Sequence, residues 1–221
     1  MYATGFWQLL PDGDRAALTA LGRTRSFAPG ASMCGEGEPA THVFALLAGW
    51  VKVQSVTSDG HEQLLALRGH GDLVGEIAGE TDGYRVATLR AIDQVRALIV
   101  SHDRFSSFLA SHLEADRAYH RLLAQRWSDS DAELRRRSGT SGAQRLAGVL
   151  LSLAGHFGAA TAGGTEIMAP LSQEELASLA GTSRATVTRA FTTWRRRGII
   201  GSGQRPLVIR DERSLRNVAG S

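Results

Sequence analysis

Two arginines five residues apart, Arg184 and Arg189, stand in the stretch LSQEELASLAGTSRATVTRAFTTWRRRG at residues 171–198. A guanidinium can donate bidentately to O6 and N7 of guanine, and short side chains let a helix sit deep against thymine methyls. Ala185 and Thr188 supply the short side chains, and Thr192 and Arg195 extend the same face. The alternative is a solvated arginine face on a small helical hairpin. What surrounds the arginines argues for presentation to DNA. Ser172 is an N-cap residue with Glu175 three positions on, the pattern of a capping box. Leu176, Leu179 and Ala180 give the first helix an apolar face, and Gly181 can end it in the left-handed conformation. Ser183 can cap a second helix whose inward face is Val187, Ala190, Phe191 and Trp194. Ala177 and Gly181 allow the close approach of a helix-turn-helix.

A second constellation runs Gly75-Glu76-Ile77, then on to Arg85-Val86-Ala87-Thr88. A Gly-Glu at a strand end followed by an Arg opening the next strand can frame a small anion. Backbone amides and Arg85 would hold a phosphate while Glu76 accepts from a sugar hydroxyl. The alternative is a surface loop in which Arg85 pairs with Glu76, Glu80 or Asp82.

Composition narrows the classes. The chain has 221 residues, enough for one large or two small domains. No apolar run reaches a membrane span, and MYATGFWQLLPDGDR lacks a signal-peptide pattern, so a cytoplasmic protein is expected. Cys34 is the single cysteine, which leaves no internal disulfide and no cysteine-built metal site. Residues 1–110 carry net charge −3, residues 111–140 +1 and residues 141–221 +5. The basic excess thus coincides with the helix-turn-helix, the electrostatic footprint of a DNA-binding domain joined to something else. An enzyme is not expected, because no catalytic motif and no P-loop occur. No metal site is expected either.

These residues need elements to position them. Residues 5–22 read as one or two short helices broken at Pro11. From Phe27 to Val100, short apolar runs (Val43–Leu47, Trp50–Val56, Gln63–Leu67, Arg85–Ala91 and Gln94–Val100) alternate with turn residues, which argues for an antiparallel sandwich or roll. Ser58-Asp59-Gly60 is a hairpin signal. Residues 102–110 read as a short helix and His112 to Arg137 as a long one. Leu113, His120, Leu123, Trp127, Ser130 and Leu134 form a heptad-like stripe on it. The stripe packs either on the sheet of its own chain or on the same helix of a second subunit, and the second arrangement is favoured. Ser138 to Gly142 has the composition of a hinge. Arg145 to Phe157 reads as an apolar helix and Gly158 to Gly164 as a flexible loop. Ile199-Ile200 and Leu207 to Ile209 read as a two-stranded wing with Arg205 at its tip, near a phosphate. The tail from Asp211 reads as fraying.

The whole chain resembles the Crp/Fnr family of bacterial transcription regulators. The matching pieces are Phe27–Gly30 with Glu36-Gly37-Glu38-Pro39, Leu46 to Val53, Asp59-Gly60-His61-Glu62, Gly71-Asp72 with Gly75-Glu76, Arg85 to Thr88, and the helix-turn-helix. The resemblance implies an α+β chain: an N-terminal double-stranded β-helix (a cyclic-nucleotide-binding-like jelly roll, residues 1–111), a long dimerisation helix (112–138) and a C-terminal winged helix-turn-helix (139–221). It implies a homodimeric DNA-binding regulator that takes a palindromic operator in double-stranded DNA, works with RNA polymerase, and is gated by a small effector, a cyclic nucleotide (cAMP or cGMP) or a similar phosphate-bearing ligand. The alternative is an effector-free or haem/redox-type member, for which His42, His61 and His70 are the histidines to consider.

In the family's cyclic-AMP receptors the Gly-Glu pair holds the ribose, an Arg-Ser pair the cyclic phosphate, and a Thr-Ser pair on the dimer helix the adenine. Gly75, Glu76 and Arg85 match, Val86 stands where Ser is expected, and Ser130-Asp131 is the equivalent place on the long helix. Ile77 joins the expected ligand set. Leu113, Leu123, Trp127 and Leu134 form the expected dimer interface. Arg184 and Arg189 match the base-reading arginines, and Ala185 replaces a Glu. Thr188, Ser172, Ser183 and Arg205 complete the expected DNA contacts.

Overall fold

The computed structural model describes residues 5–57, 60, 62–77, 83–137, 139–203 and 206–220, with 132–137 as backbone only. The chain forms two compact units, divided in sequence between Asp129 and Ser130.

The first unit begins with α1 (Phe6–Leu9) and α2 (Asp12–Leu21), separated by Pro11, which fixes φ and offers no amide donor. Strands β1 (Arg23–Phe27), β2 (Ser32–Cys34), β3 (His42–Ala48), β4 (Val51–Val56), β5 (Glu62–Arg68), β6 (Leu73–Val74), β7 (Thr88–Ala91) and β8 (Val95–Ser101) follow, then helices α3 (His102–Ser111) and α4 (Leu113–Arg137). The strands pair antiparallel in two four-stranded sheets, ordered β1-β8-β3-β6 and β2-β7-β4-β5.

The period of two explains why β3 is apolar without a break. Phe44 and Leu46 point into the core between the sheets with Phe27, Val51, Leu89 and Ala97. Val43 and Ala45 point the other way, into a second core under the helices with Phe6, Leu18, Phe105, Phe108 and Tyr119. A strand buried on both faces reads as a continuous apolar run rather than as an alternation.

Several expectations for this unit are corrected. The strand expected from Arg85 starts at Thr88, because the Arg85 backbone is used elsewhere: its N–H donates to Glu38 O and its carbonyl accepts from Gly37 N, both at 2.8 Å. Strands β1, β2 and β6 were not expected. Four of the five β1 residues are exposed, and the other two strands have three and two residues. In the β4–β5 hairpin Gly60 has φ +84°, as an Asp-Gly turn requires, while Ser58 and Asp59 lie outside the described residues.

On α4 the heptad-like stripe is not the packed face. Ala115, Ala118 and Tyr119 are buried against the roll's helical core, with Leu122 and Leu123 partly buried beside them. Leu113 is 63% exposed and Trp127 80%. Leu123 therefore divides from the stripe it was assigned to, and the Leu134 side chain lies outside the described residues.

The second unit contains α5 (Gly142–Phe157), strands β9 (Gly158–Thr161) and β10 (Gly164–Ile167), α6 (Gln173–Leu179), α7 (Arg184–Arg196), β11 (Leu207–Ile209) and α8 (Glu212–Ala219). Its core gathers Leu146 and Leu150 of α5, Leu176 of α6, Val187, Phe191 and Trp194 of α7, and Ile200, Ile209 and Leu215. Here too the sequence reading is corrected. The stretch read as a flexible loop, Gly158 to Gly164, is the β9–β10 hairpin, hidden by its small side chains. The wing is three-stranded, ordered β11-β10-β9, with Ile200 joined to Ile209 by a single bridge. Gly164 permits this sheet: at φ +125° a Cβ there would run into Ile209 O. The tail does not fray. Asp211 caps α8 through Ser214 N at 2.9 Å, and Leu215 is fully buried. No helix of the described residues is long and apolar enough to cross a membrane.

Candidate functional site

The helix-turn-helix is assembled by local contacts. Ser172 Oγ accepts from Glu175 N at 3.2 Å, and Ser172 N donates to the Glu175 carboxylate at 2.6 Å. Two orphan amides of α6 are thereby satisfied. Gly181 takes φ +54°, and Thr182 N returns to Ala177 O at 2.9 Å, closing the turn. Ser183 Oγ then caps α7 through Thr186 N at 3.2 Å. With Val187, Ala190, Phe191 and Trp194 buried, Arg184, Ala185, Thr188, Arg189 and Thr192 are left exposed on one face.

Those exposed residues differ in how free they are. The Arg184 guanidinium has no partner among the described residues. Arg189 donates to Thr186 Oγ1 at 3.3 Å, and Thr188 Oγ1 lies 2.9 Å from Gln173 Oε1. Arg195 is tied down: it lies over the Phe191 ring and reaches the Gly201 and Gly203 carbonyls. Arg205 lies outside the described residues. Between α6, α7 and the strands β10 and β11 runs a groove of about 710 Å³ whose walls include Ser172, Gln173, Arg184, Arg195 and Leu207.

Arg145, which sequence reading passed over, holds the turn from behind. Its Nε donates to Ala180 O, Nη2 to Gly181 O and Nη1 to Thr140 O, at 2.9, 2.8 and 2.6 Å. One side chain thus ties the residues before α5 to the turn that sets the angle of α7. The only signal for it was an arginine at the start of an otherwise apolar helix.

In the roll, Gly75, Glu76, Ile77, Arg85 and Val86 do come together. They line a small cavity of about 60 Å³ with Cys34, Val53, Val74, Ala87, Leu89, Arg68 and Arg126. Arg85 is only 3% exposed. It does not pair with Glu76, which Arg126 holds, and Glu80 and Asp82 lie outside the described residues. Instead Nη1 donates to Gly75 O at 2.9 Å and Nη2 to His42 O at 2.7 Å, with Phe44 beneath the guanidinium. Its Nε is buried without a partner among the described residues. A buried donor left unpaired is costly, and an anion beside Arg85 would relieve it. At Gly75 the φ of +81° strains any other residue, and a Cβ there would displace Arg85 Nη1 from its place.

Glu76, 2% exposed, is held by Arg126 of α4, whose Nη2 also reaches Leu73 O at 2.6 Å. Neither Arg126 nor Arg68 was singled out in the sequence. Arg126 follows from the packed face of α4, where Ala115, Tyr119 and Leu122 recur at helical spacing and lead to it. Ser130 is exposed, Asp131 half-buried, and neither lines the cavity.

Burial pushes the Cys34 thiol up against the opposing pull of Arg85, which leaves it unreactive rather than nucleophilic. His42 Nδ1 lies 2.9 Å from Thr41 Oγ1, and His70 Nδ1 2.8 Å from Leu47 O. His61 lies outside the described residues. Among those described, no three His, Cys, Asp or Glu residues cluster as a metal would need.

Comparison with known proteins agrees with this layout. Residues 24–112 match the cyclic nucleotide-binding domain and residues 144–218 the Crp-like helix-turn-helix domain. The chain is 32% identical over 211 residues to the CRP-like cAMP-activated global transcriptional regulator of Mycobacterium tuberculosis, covering 96% of this chain and 94% of that one. It is 27% identical to the cyclic AMP receptor protein of Thermus thermophilus, covering 97% and 95%. The structure of FixK2 from Bradyrhizobium japonicum superposes with a TM-score of 0.78 at 23% identity, over 90% of this chain and 98% of that one.

Proposed function

Because this chain belongs to the Crp/Fnr family of transcription regulators, which are not enzymes, we propose that it is a nucleotide-gated homodimer reading a palindromic operator. The observation that carries the reading is the exposed Arg184, unpartnered among the described residues, at the first turn of a doubly capped helix-turn-helix, with Arg189 on the same face. Arg184 and Arg189 make bidentate base contacts, while Ala185 and Thr188 allow close approach to the groove floor. Ser172, Ser183 and Arg205 contact the phosphates.

The division of labour is an effector domain over residues 1–111, a dimerisation helix over 112–138 and a DNA-binding domain over 139–221. The exposed Leu113 and Trp127, with Leu123 and Leu134, meet the same helix of a second copy. That dimer sets the two copies of α7 about 34 Å apart, one helical turn of DNA. RNA polymerase is the further partner, and the cytoplasm the compartment.

The effector is a nucleotide such as cAMP or cGMP. The buried Arg85 with an unpaired Nε supports a phosphate there, and Glu76 suits a sugar hydroxyl. Ile77 and Val86 line the cavity beside Glu76 and Arg85, and Ser130 and Asp131 on α4 complete the proposed ligand set. Nucleotide-sized pockets enclose roughly 300 Å³ or more. A cavity of about 60 Å³ therefore has to widen on binding.

Selection from a random duplex library, with and without added cAMP or cGMP, tests the whole reading. A twofold-symmetric consensus that strengthens with nucleotide is expected. Recovery of no consensus under either condition would defeat the DNA reading; a consensus indifferent to both nucleotides would defeat gating by them. Sedimentation of the free chain as a monomer at micromolar concentration would remove the dimer.

A further inference from the structure

We infer that the roll's cavity is built for a nucleotide carrying two separate phosphate groups, one held by Arg85 and the other by Arg68. The inference rests on the reading of the roll as a phosphate site and specifies its ligand. Four charged side chains line the cavity: Arg68, Arg85, Arg126 and Glu76. Glu76 is taken by Arg126. Two guanidinium groups are left facing one cavity with no carboxylate in ion-pair range among the described residues.

Among the described residues Arg85 is met by the carbonyl dipoles of Gly75 and His42 and by the Phe44 ring. Arg68 ends β5, and among the described residues its side chain makes one hydrogen bond, from Nη1 to the carbonyl of its own neighbour Leu67 at 2.9 Å. Burial, and next the positive charge of Arg126, push the Arg68 guanidinium down to about 10. The acids that oppose this have other partners: Asp72 accepts from Gly69 N at 2.8 Å, Glu76 holds Arg126, and Asp129 accepts from Gln125. The two cations sit in different surroundings. Arg68 stands at the end of β5 with Nη1 on Leu67 O, whereas Arg85 is fixed on the carbonyls of Gly75 and His42. A cyclic mononucleotide brings one negative charge and compensates one of them. A second phosphate on the same ligand compensates the other, by charge-assisted hydrogen bonds to a planar fork.

Calorimetry on the full chain with four probes tests this. Cyclic AMP carries one charge and AMP two on a single phosphate. Adenosine 3′,5′-bisphosphate carries two phosphates on one nucleoside, and cyclic di-GMP carries two across a dinucleotide. One of the last two should bind at least about tenfold tighter than the first two, the factor a single charge-assisted contact carries. Which of them does so separates a linear from a cyclic source. Arg68→Leu should weaken that ligand by about 10- to 100-fold and leave cyclic AMP within about twofold, which also shows the variant folded. Arg68→Lys should restore part of the loss. If neither two-phosphate probe exceeds cyclic AMP, or Arg68→Leu leaves their affinity unchanged, the inference is overturned while the phosphate reading stands. If no probe binds the parent chain, both fall together.

Discussion

On the proposed function Arg85 and Arg184 each meet an anion, and the chain treats them in opposite ways. Arg85 is buried, with two of its nitrogens on main-chain carbonyls and a phenyl ring beneath it. Arg184 stands in solvent on a helix whose caps and core would be the same without it. In the roll, function and stability share the same atoms. In the helix-turn-helix they are carried by different faces of one helix. Residues of the recognition face are therefore free to change for a new operator, whereas a change at Arg85 also disturbs the fold of its loop.

The largest test of that separation is Trp194→Ala. Truncating a fully packed aromatic costs ~3–5 kcal/mol through lost burial and a residual cavity. The variant should lose operator binding because α7 is no longer held, and keep nucleotide binding by the roll. Calorimetry with nucleotide and band-shift with DNA, on one preparation, measure both; loss of nucleotide affinity as well would break the comparison.

Next is Arg85→Leu. It leaves the Gly75 and His42 carbonyls unpaired, but it also removes a buried cation that costs free energy to desolvate. The two effects oppose each other, and a net loss of about 1–3 kcal/mol is expected. Phosphate-ligand affinity should vanish at the same time. A denaturant midpoint unchanged from the parent would show that Arg85 is as dispensable to the fold as Arg184.

The two sites were unequally legible for the same reason. Everything that shapes the helix-turn-helix lies within a few residues: Ser172 with Glu175, Ala177 with Thr182, Ser183 with Thr186. Spacing alone exposes such contacts. The cavity draws on Cys34, Val53, Arg68, Glu76, Arg85 and Arg126, brought together by strand registers and by the rotation of α4. Pattern reading sees Gly75, Glu76 and Arg85 there, but not which helix face turns Arg126 inward. The stripe chosen on α4 followed large side chains, while the packed face is built on Ala115 and Ala118, whose small size brings the helix close. In the second unit, the β9–β10 hairpin was missed because its small side chains leave no alternating apolar pattern, and α8 because its stability comes from one or two contacts. For α8 these are the buried Leu215 and the Asp211 cap.

Within the helix-turn-helix the comparison sharpens between two arginines of similar reach. Arg184→Ala and Arg145→Ala should each weaken operator binding by ~1–3 kcal/mol, for different reasons. Arg184→Ala removes base contacts, so sequence preference should relax at one symmetric position while the thermal midpoint stays. Arg145→Ala removes two carbonyl contacts to the turn and one to Thr140, so all operators should weaken alike and the midpoint should fall. Selection profiles beside melting curves distinguish the two, and an Arg145→Ala protein with a relaxed consensus and an intact midpoint would exchange their roles.

The smallest effect returns to the roll, where burial has a consequence that exposure in the helix-turn-helix does not. His42 is half-buried at the start of β3, its ring edge-on to Phe44 with centroids 4.6 Å apart and its carbonyl bound by Arg85. Burial first, then the positive charges of Arg85, His102, Arg23 and Arg25, hold the imidazole below its ordinary 6.5. The folded state thus takes up the proton less readily than the unfolded chain. Its contribution is complete above the unfolded value and is lost as pH falls through ~6.5 toward the folded one. His42→Phe keeps a ring against Phe44 and removes the titration. The melting temperatures of parent and variant should differ by a constant amount from about pH 8 to pH 7, and the difference should shift in the variant's favour by about pH 5.5. A difference that stays constant across the whole range would mean that the proton on His42 has no bearing on the roll, and that Arg85 imposes no electrostatic cost on its neighbour.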